Sequence, residues 1–391
     1  MPVIEGTDVN LSYNDCIVED SSNLVDGDRD QVQVIIAELR QQLEIVTEEK
    51  NQLLVENHKL MEQTDQLAAS LSCLNVELHN MKTEKAEQPK CSLLAEITTD
   101  DKMTLFYTGL NSFKLFTGIF KSLKPALRSD TRFAATLEEQ FLITLMKLRL
   151  NLSRRDIAYR FKITIPTVTS YIEKFINAMF IRLPVALLRK PDREAALKTL
   201  PLSFRAQYPN VNYIIDCTEL KCETPSNKID AVSCYSTYKS HHTSKFAIVS
   251  TPHGSVAFLS KAFTGRATDV DTIRKSGLLE FIEPGDEFLA DRGFINEGDF
   301  TSLGAKVHIP SFKGRRDQLT GKETERSRII ANERIHVERV IGNLKKKFMV
   351  LRGIVKIKDF CTDYYNNAFI SKIFVTCCCL MNAQPTIVPQ Y

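Results

Sequence analysis

Three acidic residues stand where a hydrolytic site would need them. Asp216 closes the apolar run Val211-Asn212-Tyr213-Ile214-Ile215, and Asp291 closes Glu287-Phe288-Leu289-Ala290, 75 residues later. Glu338 follows 47 residues beyond Asp291, within a stretch of helical periodicity. The runs read as strands, and in α/β sheets the carboxyl ends of strands are where sites gather. Hard cations take oxygen ligands, so Asp and Glu serve where His or Cys would not. Three such carboxylates can hold two Mg²⁺ (or Mn²⁺) ions about 3.5–4 Å apart, which activate a water or a 3′-hydroxyl for in-line attack on a phosphodiester. The structural alternative is that each Asp caps the next element and Glu338 pairs with Arg334. Any one residue fits that alternative; their order and setting together favour the cluster.

The helix that must carry Glu338 is legible from its periodicity. With Arg334 at 0° and about 100° per residue, Lys345 falls near 20° and Glu338 near 40°. Val337, Ile341, Leu344 and Phe348 fall at roughly 280–340°. An apolar stripe thus packs inward, with Arg334, Glu338 and Lys345 along its border. The helix is expected from about Thr324 to Val350. Before it lies a basic, glycine-containing loop, Lys313 to Lys322. Further strands are expected at Phe246–Ser250 and Ser255–Ala262, joined through Pro252-His253-Gly254, and at Lys306–Ile309. That order gives an antiparallel meander followed by alternating strands and helices, an α/β fold around a mixed sheet over residues 205–385.

Ahead of the sheet the chain is helical. Met103 to Arg128 reads as helical, with Pro125 late in it. Three helices follow between Thr136 and Phe180. The first, Leu137 to Leu150, is amphipathic; Ser153 is a good N-cap for the second. The turn Lys162-Ile163-Thr164 leads into a third helix, with Pro166 in its first turn, where a missing amide hydrogen does no harm. Helix, short turn, helix is the helix-turn-helix arrangement of DNA-binding domains, here placed over residues 103–190. Thr167, Thr169, Ser170 and Lys174 are expected to face outward from the recognition helix. The third helix is poor in Arg and Lys for a base reader, and three short helices are also a common packing unit with no DNA role.

The front end differs in kind. Residues 1–30 are polar, acidic and aperiodic, and read as disordered. From Val32 to Met81 apolar residues recur every seven positions: Val32, Leu39, Val46, Leu53, Leu60, Leu67, Leu74, Met81. A second series runs Ile36, Leu43, Lys50, Asn57, Thr64, Leu71, Leu78. This two-position heptad seam predicts a coiled coil over residues 31–85 and a homodimer, with Lys50 and Asn57 fixing register and favouring two strands. A long amphipathic helix packed on its own domain is the competing reading. Residues 86–102 read as a polar linker.

Charge divides the chain the same way. Residues 1–101 carry 21 acidic against 7 basic side chains, and the remainder 27 against 44. A basic body favours a polyanionic partner, which the charge balance alone does not identify as double-stranded DNA. No apolar run is long enough to span a bilayer, and the acidic start lacks the features of a secretory leader. The ten cysteines lack zinc-ligand spacing and are expected to be free thiols.

The chain resembles the Harbinger-like eukaryotic DDE transposases, particularly those found behind THAP zinc-finger domains. The resemblance lies in Leu145-Met146-Lys147-Leu148-Arg149-Leu150-Asn151-Leu152, Ile215-Asp216-Cys217-Thr218-Glu219, Tyr235-Ser236-Thr237-Tyr238-Lys239, Gly265-Arg266-Ala267-Thr268-Asp269, Leu289-Ala290-Asp291-Arg292-Gly293-Phe294 and Arg334-Ile335-His336-Val337-Glu338-Arg339. It covers about residues 103–380. It implies an RNase H-like catalytic fold, a divalent-metal nuclease acting on DNA in the nucleus, and an acidic triad at Asp216, Asp291 and Glu338. The zinc-binding module is not among these residues, so recognition of DNA ends is expected to be lost or delegated to a partner protein.

Around the triad, Glu219 and Arg334 are candidates to support the ligands, although Glu219 fits a strand-end surface position equally well. Asp269 reads better as the N-cap of a helix over Val270 to Ser276. Lys239, Arg315, Arg316 and Lys345, with Tyr238 and Lys245, are candidates to touch phosphates. The functional alternative is a domesticated DNA-binding or scaffold protein that keeps the fold without turnover.

Overall fold

A computed structural model describes residues 26–87, 93–127, 135–293, 297–360 and 367–386, without the side chains of 26–29 and 79–87. The expected disorder of residues 1–30 lies outside the described residues up to position 25. The chain divides into two compact units, residues 1–90 and 91–391.

The first unit is one helix, Asp26–Glu87, 62 residues long. It starts before the expected position 31, and apart from the half-buried Ile36 the described apolar seam residues are exposed. Val32 is 45% exposed, Leu53 60% and Leu67 64%.

The second unit begins with helices where a linker was expected. Leu93–Thr99 is helical and buries Ile97 completely. The helical stretch expected from Met103 holds two helices, Asp101–Thr108 and Phe113–Leu123. Gly109 breaks them apart at φ 75°, a left-handed conformation that costs glycine little, and Ser112 caps the second. Then come Leu137–Leu150, Arg154–Phe161 and Ile165–Leu187, capped by Thr136, Ser153 and Thr164. Thr136 and Glu139 form a reciprocal capping box.

The sheet has seven strands: β1 (Tyr213–Lys221), β2 (Tyr235–Ser236), β3 (His241–Ser250), β4 (Val256–Leu259), β5 (Phe263–Thr264), β6 (Glu287–Leu289) and β7 (Lys306–His308). The order is β2-β3-β1-β6-β7, with β4 and β5 also on β3. β1, β3 and β4 pair antiparallel, while β6 and β7 run parallel to β1. This mixed sheet, with helices on both faces, is an RNase H-like arrangement. Asp216 does not end its strand, as the sequence suggested; β1 continues five residues past it to Lys221.

Alternation along β1 sorts the two faces. Tyr213 and Ile215 join Val249, Phe288 and Ala290 in one core. Ile214 and Leu220 join Ile248, Leu289 and the stripe Val337, Val340, Ile341 and Leu344 of helix Gly321–Lys347 in the other. That second core does not stop at the sheet. It runs through the fully buried helix residues Phe374 and Cys377 into Phe141, Phe175 and Tyr171 of the helical region. Arg149 adds a polar clasp, donating to the carbonyls of Lys346 at 3.1 Å and Lys347 at 2.6 Å. It caps the last turn of helix Gly321–Lys347, where free carbonyls attract a cation. Helical region and sheet are therefore one packed body.

Gly265, in the stretch between β5 and the next helix, is required by close approach. A Cβ there would lie 2.2 Å from Thr243 Oγ1 and 2.5 Å from the Cys234 carbonyl. Gly342, mid-helix, has nothing within 4 Å of its Cβ position. Gly265→Ala should therefore lower unfolding free energy by about 2–3 kcal/mol. Gly342→Ala should raise it by roughly 0.5–1 kcal/mol through helix propensity. Urea denaturation of both variants checks the contrast.

Candidate active site

The parallel register brings the two aspartates together. Ile214 pairs with Leu289 across β1 and β6. Asp216 lies two residues further along β1 and Asp291 two residues past the end of β6, and both reach Arg334 of helix Gly321–Lys347. Each Oδ1 accepts an amide hydrogen from the next residue, Cys217 at 2.9 Å and Arg292 at 2.7 Å. Asp216 is the more enclosed, with its side chain 20% exposed against 54% for Asp291.

Arg334 sits between them. Its Nη2 lies 3.8 Å from Asp216 Oδ1 and its Nη1 3.5 Å from Asp291 Oδ1. The pairing with Glu338 that the sequence allowed is replaced by this bridge to both strands. Glu338, one turn further on, is exposed but near enough to bear on Asp216. Burial pushes the Asp216 carboxyl up to about 6; Arg334 and the Cys217 amide pull it down, and Glu338 and Asp291 add to the rise. Asp216, Asp291 and Glu338 thus share one electrostatic site. Among the described residues no group of three His, Cys, Asp or Glu side chains is gathered closely enough to hold a metal ion. The donor set still suits a hard cation: two carboxylates from neighbouring strands already meet around one positive group.

The remaining candidates are distributed differently. Glu219 lies on the opposite face of β1 from Asp216. There it accepts from Thr243 Oγ1 at 2.7 Å and pairs with Lys245 at 3.7 Å. Lys245 is buried, and its ammonium also donates to Asp269 at 3.0 Å and the Ala267 carbonyl at 2.7 Å. Neither Glu219 nor Lys245 is where the sequence reading wanted it. Asp269 is the first residue of its helix, whose N-cap is Thr268. The sequence alone held no signal for this network, because Glu219 and Lys245 become cross-strand partners only through the β1–β3 register.

Lys345 is not an outward DNA contact. Its ammonium donates to Thr218 Oγ1 at 2.7 Å and the Glu219 carbonyl at 2.9 Å, pinning the helix to β1. Burial lowers its pKa to about 8, with Lys239 adding to the fall. Arg316 is also committed, gripping Glu323 through two nitrogens at 2.9 and 3.1 Å. Lys239 is exposed, 4.4 Å from the centre of the Tyr238 ring, and Arg315 is exposed. On the recognition helix, Lys174 is drawn to Gln140 at 3.3 Å. The Thr167 hydroxyl bonds Thr164 at 2.8 Å, and that of Thr169 bonds the Ile165 carbonyl at 3.1 Å. Ser170 and Pro166 face solvent.

An RNase H-like sheet thus follows the helical region, with Asp216 and Asp291 brought together beneath helix Gly321–Lys347. Residues 215–382 match a family described as DDE superfamily endonuclease, and residues 136–184 match the helix-turn-helix of DDE superfamily endonuclease. Together the two matches indicate a DDE transposase-type family. No curated protein and no solved structure matches the chain.

The raised Asp216 pKa has a consequence for stability. An unfolded aspartate ionises near 4, whereas the folded one ionises at about 6. The metal-free protein should lose stability as pH climbs through this window, retaining the full benefit of the neutral carboxyl only below it. Asp216→Asn should then be more stable than wild type at pH 7, by on the order of 2–3 kcal/mol, and equal to it near pH 4. Urea denaturation at the two pH values measures both.

Proposed function

We propose that the chain is a transposon-derived DNA endonuclease of the Harbinger-like kind, cutting phosphodiester bonds at Asp216, Asp291 and Glu338. The observation that carries this is the convergence of Asp216 and Asp291 on Arg334, one turn before Glu338 on the same helix. In this reading the two aspartates and Glu338 hold divalent cations, Mg²⁺ or Mn²⁺. A bound pair of such ions supplies Lewis acidity toward the phosphate oxygens and a more acidic water or hydroxyl nucleophile. The chain's own residues place the ligands: β1 and β6 set their spacing, and Lys345 fixes the helix against β1. Asp291 is open to solvent and so lies on the side from which a DNA strand would arrive.

DNA is held mainly by phosphate contacts from the basic body. Lys239 and Arg315 are available for this, whereas the hydroxyls of Thr167 and Thr169 already bond within their helix. Affinity should therefore depend on salt more than on sequence, with a partner protein supplying end recognition. The chain acts in the nucleus, where its substrate is.

Purified protein should nick supercoiled plasmid with Mg²⁺ or Mn²⁺. Asp216→Asn, Asp291→Asn and Glu338→Gln should each lose that activity, by about a hundredfold or more. A triad variant that cuts as well as wild type would show the site to lie elsewhere.

The exposed heptad seam of helix Asp26–Glu87 supports a second reading, of assembly. Two copies in parallel bury the leucine series, and Asn57 meets its own copy. The result is a homodimer with two catalytic bodies for one DNA. Light scattering at micromolar concentration should give a dimer. Leu53→Lys with Leu60→Lys should give a monomer that retains the circular dichroism of the catalytic body. A wild-type monomer would rule the dimer out.

A further inference from the structure

Arg334 is a buried cation whose hydrogen-bonding capacity is poorly used. Its side chain is 9% exposed, and its Nε is enclosed without a hydrogen-bond partner. Each of its two terminal nitrogens faces a different aspartate, at 3.5 and 3.8 Å. A guanidinium that clamps a carboxylate does so with paired nitrogens at about 2.7–2.9 Å. Arg316 comes close to that on Glu323. Arg334 instead splits its fork between two strands and stays outside hydrogen-bond range of both.

The aspartates do not depend on Arg334 for their orientation, because each is already held by a backbone amide. What two neighbouring carboxylates in a half-enclosed site lack is positive charge. The bridging position of Arg334 supplies it with loose, exchangeable contacts, at the oxygens that would ligate a divalent cation.

We infer that Arg334 is a resident counter-charge, offsetting the repulsion between Asp216 and Asp291 and competing with the divalent cation for them. The inference rests on the endonuclease reading for the identity of the ligands and adds a charge-balancing residue to it. A fixed structural ion pair and a competitor make opposite demands. Losing a structural pair loosens the site and weakens cation binding; losing a competitor removes a rival and a repelling charge, so binding tightens.

The test is a titration of the full-length protein with Mn²⁺ alone, without DNA, by calorimetry and by the loss of the free-Mn²⁺ paramagnetic resonance signal. Arg334→Met and Arg334→Gln should bind Mn²⁺ about tenfold or more tighter than wild type, since a unit charge a few ångströms away is gone. Arg334→Lys keeps the charge and should stay within about threefold of wild type. Without metal the neutral variants should melt below wild type, and Mn²⁺ should restore them. Two neutral variants are used so that misfolding of one leaves the other to decide. If wild type binds Mn²⁺ through Asp216 and Asp291 and the neutral variants bind equally or more weakly, the inference falls and the endonuclease reading stands. If no variant binds Mn²⁺ at all, both fall.

Discussion

Ile214 and Leu289 lie side by side in parallel strands, and that pairing decides where the acidic groups of the site end up. A slip of one residue would send Asp291 to the far face and bring Ala290 beside Asp216. Packing forbids the slip. Phe288 and Leu289 are both fully buried but belong to different cores, so each is held on its own side of the sheet. The strongest apolar interactions of the fold therefore fix the relative position of its most polar side chains.

Charge is handled on both faces of β1 by the same device, a buried cation set against carboxylates, with different results. On one face Lys245 is fully engaged with Glu219, Asp269 and a carbonyl, a closed network that rigidifies the strand. On the other, Arg334 makes only long contacts and keeps an unpaired Nε. One network is saturated and the other is not. The unsaturated one borders solvent through Asp291 and Glu338, where reactants could reach it.

Much of this could be read from the amino acids because local rules sufficed. Thr136 and Ser153 announce their helices by capping chemistry, and the stripe from Val337 to Leu344 announces the face of its helix. The aspartates stood out because each follows an apolar run. The failures are non-local. That β1 continues through Asp216 to Lys221 depends on pairing with β3, which no pattern within β1 states. Lys345 and Arg334 lie on the same helical border and read alike, yet one reaches Thr218 and the other Asp216 and Asp291. The helix Leu93–Thr99 escaped notice because seven residues are too few to show a helical period and only Ile97 is buried. Gly109 as a break was missed because positive φ is a property of the fold, not of the residue.

The continuous core between the helix-turn-helix and the sheet bears on how such a protein can change. A recognition domain on a flexible tether can be exchanged for another without disturbing the enzyme. Here the inner faces of Leu137–Leu150 and Ile165–Leu187 share a core with the mixed sheet, and Arg149 caps helix Gly321–Lys347. Replacing the helical region wholesale would strip apolar surface from Phe374 and its neighbours. Change without loss of the core is therefore confined to the outer faces of those helices and to loops, so the helical region and the sheet must be inherited as one piece.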